Sequence, residues 1–131
     1  MKVTIPIAPV SKKNSMQIIK LGNRYSLIPS QRYRNYEKEC RPYLEGLCLS
    51  PINHPVTVKC DYYMPTKRRC DLTNLLEATH DVLTKWGVLA DDCRDIVVSV
   101  DGSRVYYDKT NPRTEIEITD YIGEWEIWKK D

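Results

Sequence analysis

VTVKCDYYMPTKRRCDLTNLLEATHDVLTKWG, residues 56–87, decides how this chain folds. Its first eight residues alternate, with Val56, Val58, Cys60 and Tyr62 on one side, the period-two pattern of a strand. Pro65 ends that strand, and the basic run Lys67-Arg68-Arg69 leads straight into Asp71. From there the period changes. Leu72, Leu75, Leu76, Thr79, Val82, Leu83 and Trp86 recur at i, i+3, i+4 and i+7, which places them on one face of a helix. Asp71 stands at the first turn, where free backbone donors favour a carboxylate, and Gly87 provides the stop. Asn74, Glu77 and Asp81 are expected on the opposite, polar face.

Outward from this unit the signals are shorter. VTIPI (3–7) reads as a strand that Pro6 confines to a sheet edge or a strand end. MQIIK and RYSLI, on either side of Leu21-Gly22-Asn23, read as a small hairpin. Ser30 is the expected N-cap of a helix with Tyr33, Tyr36, Cys40 and Tyr43 or Leu44 at helical spacing, which Pro42 should kink or shorten. DIVVSV (95–100) reads as a buried strand, and TEIEIT (114–119) alternates Ile116 and Ile118 inward. The expected connection is a ribbon from 95 to 119, with a turn at Asp101-Gly102 or at Asn111-Pro112. Trp125 and Trp128 should pack on the core or on a partner subunit. The fold class is therefore α+β: a single domain over residues 1–131, with a mixed β-sheet packed by two main helices.

Length and composition agree with this. A chain of 131 residues buries about two-thirds of its unfolded surface, enough for one core without staples. No apolar run approaches the roughly 18 residues of a membrane span. MKVTIPIAPV is too short and too broken by proline for a secretory signal, so a cytoplasmic, membrane-free protein is expected. The five cysteines are odd in number and form no CxxC, and the two histidines supply no zinc spacing, so reduced thiols are expected.

Charge is unevenly distributed. Residues 1–45 hold nine Lys/Arg against three Glu, and residues 46–131 hold eleven against fifteen acids. Seven carboxylates lie between Asp71 and Asp101, with only Lys85 and Arg94 among them. A basic half beside an acidic patch suits a polyanion partner together with a metal site. Strand-end and helix-start aspartates and the loop pair Asp91-Asp92 should converge at one end of the sheet. Hard oxygens grouped in that way suit Mg²⁺, which serves phosphodiester cleavage, while the basic residues Lys67, Arg68 and Arg69 hold the DNA backbone.

KRRCDLTNLLEATHDVLTKWGVLADD (67–92) resembles the signature of the RusA family of Holliday-junction resolvases. The resemblance runs through the basic triplet, D-x-x-N-L, D-x-L-T, the glycine and the paired aspartates, and PVSKKNS and the Tyr-rich helix extend it. It implies a small homodimeric, Mg²⁺-dependent endodeoxyribonuclease of phage or prophage type, acting on four-way DNA junctions in recombination and repair. Asp71 matches the first catalytic aspartate and Asp92 the aspartate after the helix. Asn74, Asp81 and Asp91 match the motif's asparagine, its helical aspartate and the first of its acidic pair. Two positions depart: Thr73 stands where the family has its second catalytic aspartate, and Glu77 where it has its lysine. Four residues apart on a helix, they are neighbours, so Glu77 is expected to replace the missing ligand.

The expected catalytic set is Asp71, Glu77 and Asp92, with Asp91 added as a metal ligand and Thr73, Asn74 and Asp81 in support. Lys12, Lys13, Asn14, Lys67, Arg68 and Arg69 are the expected DNA contacts, and the lost lysine's role passes to Lys13, Lys67 or Arg69. The alternatives are a junction-binding protein that does not cut and an interaction protein with an acidic surface.

Overall fold

The structure is a computed structural model, described here for residues 1–12 and 16–123, with the side chain of Met16 left aside. The elements are β1 (Lys2–Ile5), β2 (Met16–Leu21), β3 (Arg24–Pro29), α1 (Gln31–Leu44), β4 (Val56–Met64), α2 (Leu72–Lys85), β5 (Val97–Ser99), β6 (Arg104–Tyr107) and β7 (Arg113–Asp120). The expected packing of Trp125 and Trp128 lies outside the described residues.

β4 organises the main sheet. On one side it pairs antiparallel with β7, which pairs antiparallel with β1, so β1 runs parallel to β4 at the far edge. On its other side it pairs in parallel with β5 and then β6. The sheet is thus mixed, as the element pattern implies. Pro6 directly follows edge strand β1, where a missing N–H breaks no ladder.

Both helices contribute to one buried cluster against the same sheet face. Val56, Val58, Cys60 and Tyr62 of β4, Ile116 and Ile118 of β7 and Ile5 of β1 meet Tyr33, Tyr36, Cys40 and Leu44 of α1 and Leu75, Leu76, Ala78, Val82 and Leu83 of α2. Each fully buried Leu or Val contributes about 1.5–3 kcal/mol. The Tyr62 hydroxyl shares a 2.7 Å hydrogen bond with Thr79 Oγ1, which also donates to the Leu75 carbonyl at 3.0 Å. The buried strand and helix are thereby joined by polar groups that satisfy one another.

The helix ends follow local chemistry. Ser30 Oγ accepts from the Tyr33 N–H at 3.3 Å, and α1 stops two residues after Pro42. At the far end of α2, Val88 N–H reaches the Leu83 carbonyl at 2.9 Å and Gly87 N–H the Thr84 carbonyl at 3.3 Å, with Gly87 at φ 79°. That is the Schellman arrangement, and the left-handed backbone it needs is why glycine ends the helix.

Residues 95–119 do not form the expected ribbon. Strands β5 and β6 run in the same direction along β4, and β7 lies on β4's other side. The crossover through α2 brings the chain back parallel to β4, as a strand–helix–strand unit requires. Asp101-Gly102 cannot reverse it through a type I′ turn, because that turn needs positive φ at both residues and only Gly102, at 87°, has it. The chain instead bulges and resumes. Ser103 Oγ accepts from the Cys60 N–H at 3.0 Å and donates to the Val100 carbonyl at 2.7 Å, filling the gap in the ladder. β5 is correspondingly short and half-buried rather than a buried strand over 95–100. The turn at 108–112 carries the chain past the end of β4, with Asp108 N–H on the Met64 carbonyl at 2.9 Å. All five cysteines are free.

The Tyr62–Thr79 bond yields a measurable expectation. Thr79→Val leaves the Tyr62 hydroxyl buried without a partner and should cost about 1–3 kcal/mol in urea unfolding. In a double-mutant cycle, adding Tyr62→Phe should recover part of that loss; strictly additive losses would show that the bond contributes no coupling.

Candidate active site

The candidate residues hang from the end of β4. After Met64, residues 66–69 are exposed, so Lys67, Arg68 and Arg69 project from the surface on a short connection into α2. Asp71 is the N-cap residue of α2, yet its carboxylate makes no capping hydrogen bond. Its Oδ2 instead accepts from Asn74 Nδ2 at 3.3 Å, and the residue is exposed. An N-cap aspartate normally turns its oxygens back onto the helix. Here they remain directed toward solvent, in the positive field of the helix N-terminus.

Along the helix, Thr73 and Glu77 are both exposed, one turn apart on the same side. Asn74, expected on the polar face, is buried beside the apolar stripe. Its amide reaches Asp71, so it positions that carboxylate from beneath rather than lining the surface. The buried face is wider than the i, i+3, i+4, i+7 pattern shows, because Ala78 and Asn74 extend it.

Farther along α2 a second group forms. Lys12 Nζ lies 3.3 Å from Asp81 Oδ2 and 5.9 Å from the centre of the Tyr33 ring. Burial first, then the charges of Asp81, Glu37 and Glu77, push the Tyr33 hydroxyl well above its usual range. Lys12 is thus paired with Asp81 in this structure. His80 is mostly enclosed, and burial lowers its pKa while the carboxylates of Asp92 and Asp81 pull the other way. Its Nε2 has no hydrogen-bond partner among the described residues. Asp91 accepts from the Asp92 N–H at 2.7 Å and, with Asn53, His54 and Pro55, lines a hollow near the start of β4. Lys13 and Asn14 lie outside the described residues.

The expected convergence of carboxylates is therefore not what one chain shows. Asp71 follows the end of β4, Asp91 lies near its beginning, and Asp92 acts on His80, nine residues beyond Asp71. Nine helical residues span about 13 Å along the axis. Among the described residues, no three of His, Cys, Asp and Glu gather closely enough to hold a metal ion. In donor type, the carboxylates of Asp71, Glu77, Asp91 and Asp92 suit Mg²⁺. In placement, they do not surround one point within a chain.

The structure also displays groups that the sequence reading passed over. Tyr63 and Tyr106 stack at 5.1 Å, Arg113 lies 3.7 Å above the Tyr63 ring, and Lys67 lies 5.1 Å from that of Tyr107. The signal was present in RVYY, an apolar and aromatic segment beside basic residues. Its exposure depends on β6 being an edge strand, which the residue pattern alone does not reveal.

A search of curated proteins finds no match to this chain. A family model does match, described as endodeoxyribonuclease RusA, and it takes in the hairpin, both helices, the basic run and the paired aspartates. With residues 6–119 of 131 so matched, the chain belongs to the RusA endodeoxyribonuclease family.

Proposed function

We propose that the protein is a Mg²⁺-dependent, structure-selective endonuclease that nicks four-way DNA junctions as a homodimer, with Asp71 at its centre and Glu77 and Asp92 as ligands only where the dimer brings them to it, since one chain does not. The observation that supports this most is the uncapped, solvent-facing carboxylate of Asp71 directly after Lys67-Arg68-Arg69. The basic run would fix a phosphodiester backbone beside that carboxylate, and Asn74 would hold its oxygens in place. Asp81 and Asp91 belong to the surrounding acidic surface in this reading.

A second reading, a junction-binding protein that does not cut, is favoured by one specific observation: no three ligands gather among the described residues. The two readings separate in one assay. A nuclease binds junctions in EDTA and nicks them when Mg²⁺ is added, whereas a silent binder only binds.

The homodimer has support in the β2–β3 hairpin. Its register places Ile18 opposite Leu27 and Lys20 opposite Tyr25, and that face leaves Ile18, Tyr25 and Leu27 71%, 72% and 61% exposed. A lone two-stranded hairpin is marginal in water, and so much exposed apolar surface suits a second copy. Ile18→Lys with Leu27→Lys should convert a dimer to monomer in sedimentation velocity. Dimers that persist would move the interface elsewhere.

Asp71→Asn should lower nicking by about 100-fold or more, since a metal-assisted step loses several kcal/mol without its carboxylate. Junction binding in EDTA should stay or tighten, because one negative charge is gone. If Glu77 supplies the ligand absent at Thr73, Glu77→Gln should lose activity similarly while Thr73→Ala loses little. Full activity in Glu77→Gln would mark that carboxylate as surface charge.

The basic run has its own signature. Replacing Lys67, Arg68 and Arg69 by Ala should flatten the slope of log K against log salt by about one to three units, at roughly 0.9 per phosphate contact. Cleavage sequence preference should not change, because phosphate contacts carry no base information. An unchanged slope in a fluorescence titration would remove the run from the DNA contact.

A further inference from the structure

Near the end of β4, the uncovered face of the sheet carries a stacked row of side chains. Register places Arg113 of β7, Tyr63 of β4 and Tyr106 of β6 side by side. The Arg113 guanidinium covers Tyr63 at 3.7 Å, and Tyr63 and Tyr106 stack at 5.1 Å with their rings 21° apart. Arg113 is itself fixed by Asp108 at 3.0 Å and Glu115 at 3.2 Å. The row is held rigid at its inner end and finishes, at the sheet edge, on Tyr106.

Strand β6 is unusual for an edge. All four of its residues are exposed, including Val105 at 37%, Tyr106 at 45% and Tyr107 at 47%. Edges are normally blunted by charge or proline, so bare aromatic rings there invite a partner. The charges nearby indicate which kind. Asp108 and Glu115 are paired with Arg113, and Asp61 with Lys59 at 3.1 Å. Lys67, Arg68, Arg69, Arg104 and Lys109 form no ion pair among the described residues. A second copy meeting this edge about a two-fold axis would bring those cations against their own equivalents. A polyanion with flat, stackable groups meets the charge and the rings together.

We propose that Tyr106 is a stacking platform for an unpaired DNA base, extending the Arg113–Tyr63–Tyr106 row by one ring, with the DNA strand's phosphates crossing the β6 edge to Lys67–Arg69, of which Lys67 lies against Tyr107 on the other face of β6. This rests on the DNA-binding part of the proposed function and adds a preference for the unpaired nucleotides of an opened branch point. Stacking on tyrosine is tolerant of sequence, since every base presents a π face, and the adjoining cations track the backbone.

The test needs no metal and no cleavage. A 12-nucleotide single strand carrying 2-aminopurine, and a fully paired duplex of the same length, are titrated in EDTA with wild type, Tyr106→Phe and Tyr106→Ile. Isoleucine preserves the strand preference of an edge position while removing the ring, so folding, checked by circular dichroism, is retained. Wild type and Tyr106→Phe should quench the fluorophore. Tyr106→Ile should lose the quenching and bind the single strand about 5- to 100-fold more weakly, with duplex affinity changed less than twofold. Equal single-strand binding and quenching by Tyr106→Ile, or no single-strand binding by wild type, would overturn the platform. Failure of the nuclease reading would show separately, as binding without Mg²⁺-dependent nicking.

Discussion

Alternation along β4 is the constraint on which the rest of the molecule depends. Val56, Val58, Cys60 and Tyr62 point toward the helices, so Thr57, Lys59, Asp61 and Tyr63 must point away. The strand pairs with β5, β6 and β7 together, so its register fixes that of every neighbour. A slip by one residue would send Tyr62 to the open face and Lys59 and Asp61 into the core. The Tyr62–Thr79 bond adds a directional tie to this alternation, holding α2 at one height above the sheet. That height sets where Asp71 emerges.

Two surfaces result from this arrangement, and they divide the molecule's charges. The α2 surface is acidic but locally compensated: Lys12 meets Asp81, and Lys85 meets Glu37. The Asp71 carboxylate instead accepts a hydrogen bond from the neutral amide of Asn74 and has no ion pair among the described residues. The uncovered sheet face is laced with opposite charges, Lys2 with Glu117, Lys59 with Asp61 and Arg113 with Glu115. Such exposed pairs contribute little stability, about 0–1 kcal/mol each. They do neutralise the acids of that face, so the cations beside β6 act without a counterweight. A solvent-facing aspartate and an uncompensated basic edge at the same end of the sheet form an arrangement suited to a phosphodiester backbone.

Much of this was legible in the residues, because it depends on near neighbours in the chain. The period change between residues 63 and 72 announces a strand turning into a helix, whatever surrounds it. Ser30 and Gly87 mark helix ends through backbone groups only a few residues away, and both act as their chemistry requires. The resemblance to the family also lay in a continuous stretch, from Lys67 to Asp92, inside the residues 6–119 that the family model matches.

Tertiary structure decided what depends on partners distant in sequence. RVYY reads as strand from its residues, but only the parallel pairing with β4 makes it an exposed edge and sets Tyr106 against Tyr63. Asn74 lies on the polar side of a helical projection, yet the folded chain buries it, with its amide on Asp71. The seven acids between Asp71 and Asp101 resemble one cluster in the sequence. The 14-residue helix α2 lies between Asp71 and the later acids Asp91, Asp92, Asp95 and Asp101, and an α-helix advances about 1.5 Å per residue whatever charge it carries. Sequence determines which side chains exist and which local backbone they prefer; which of them meet is settled by the direction in which strands pair and by the length of the helix between them.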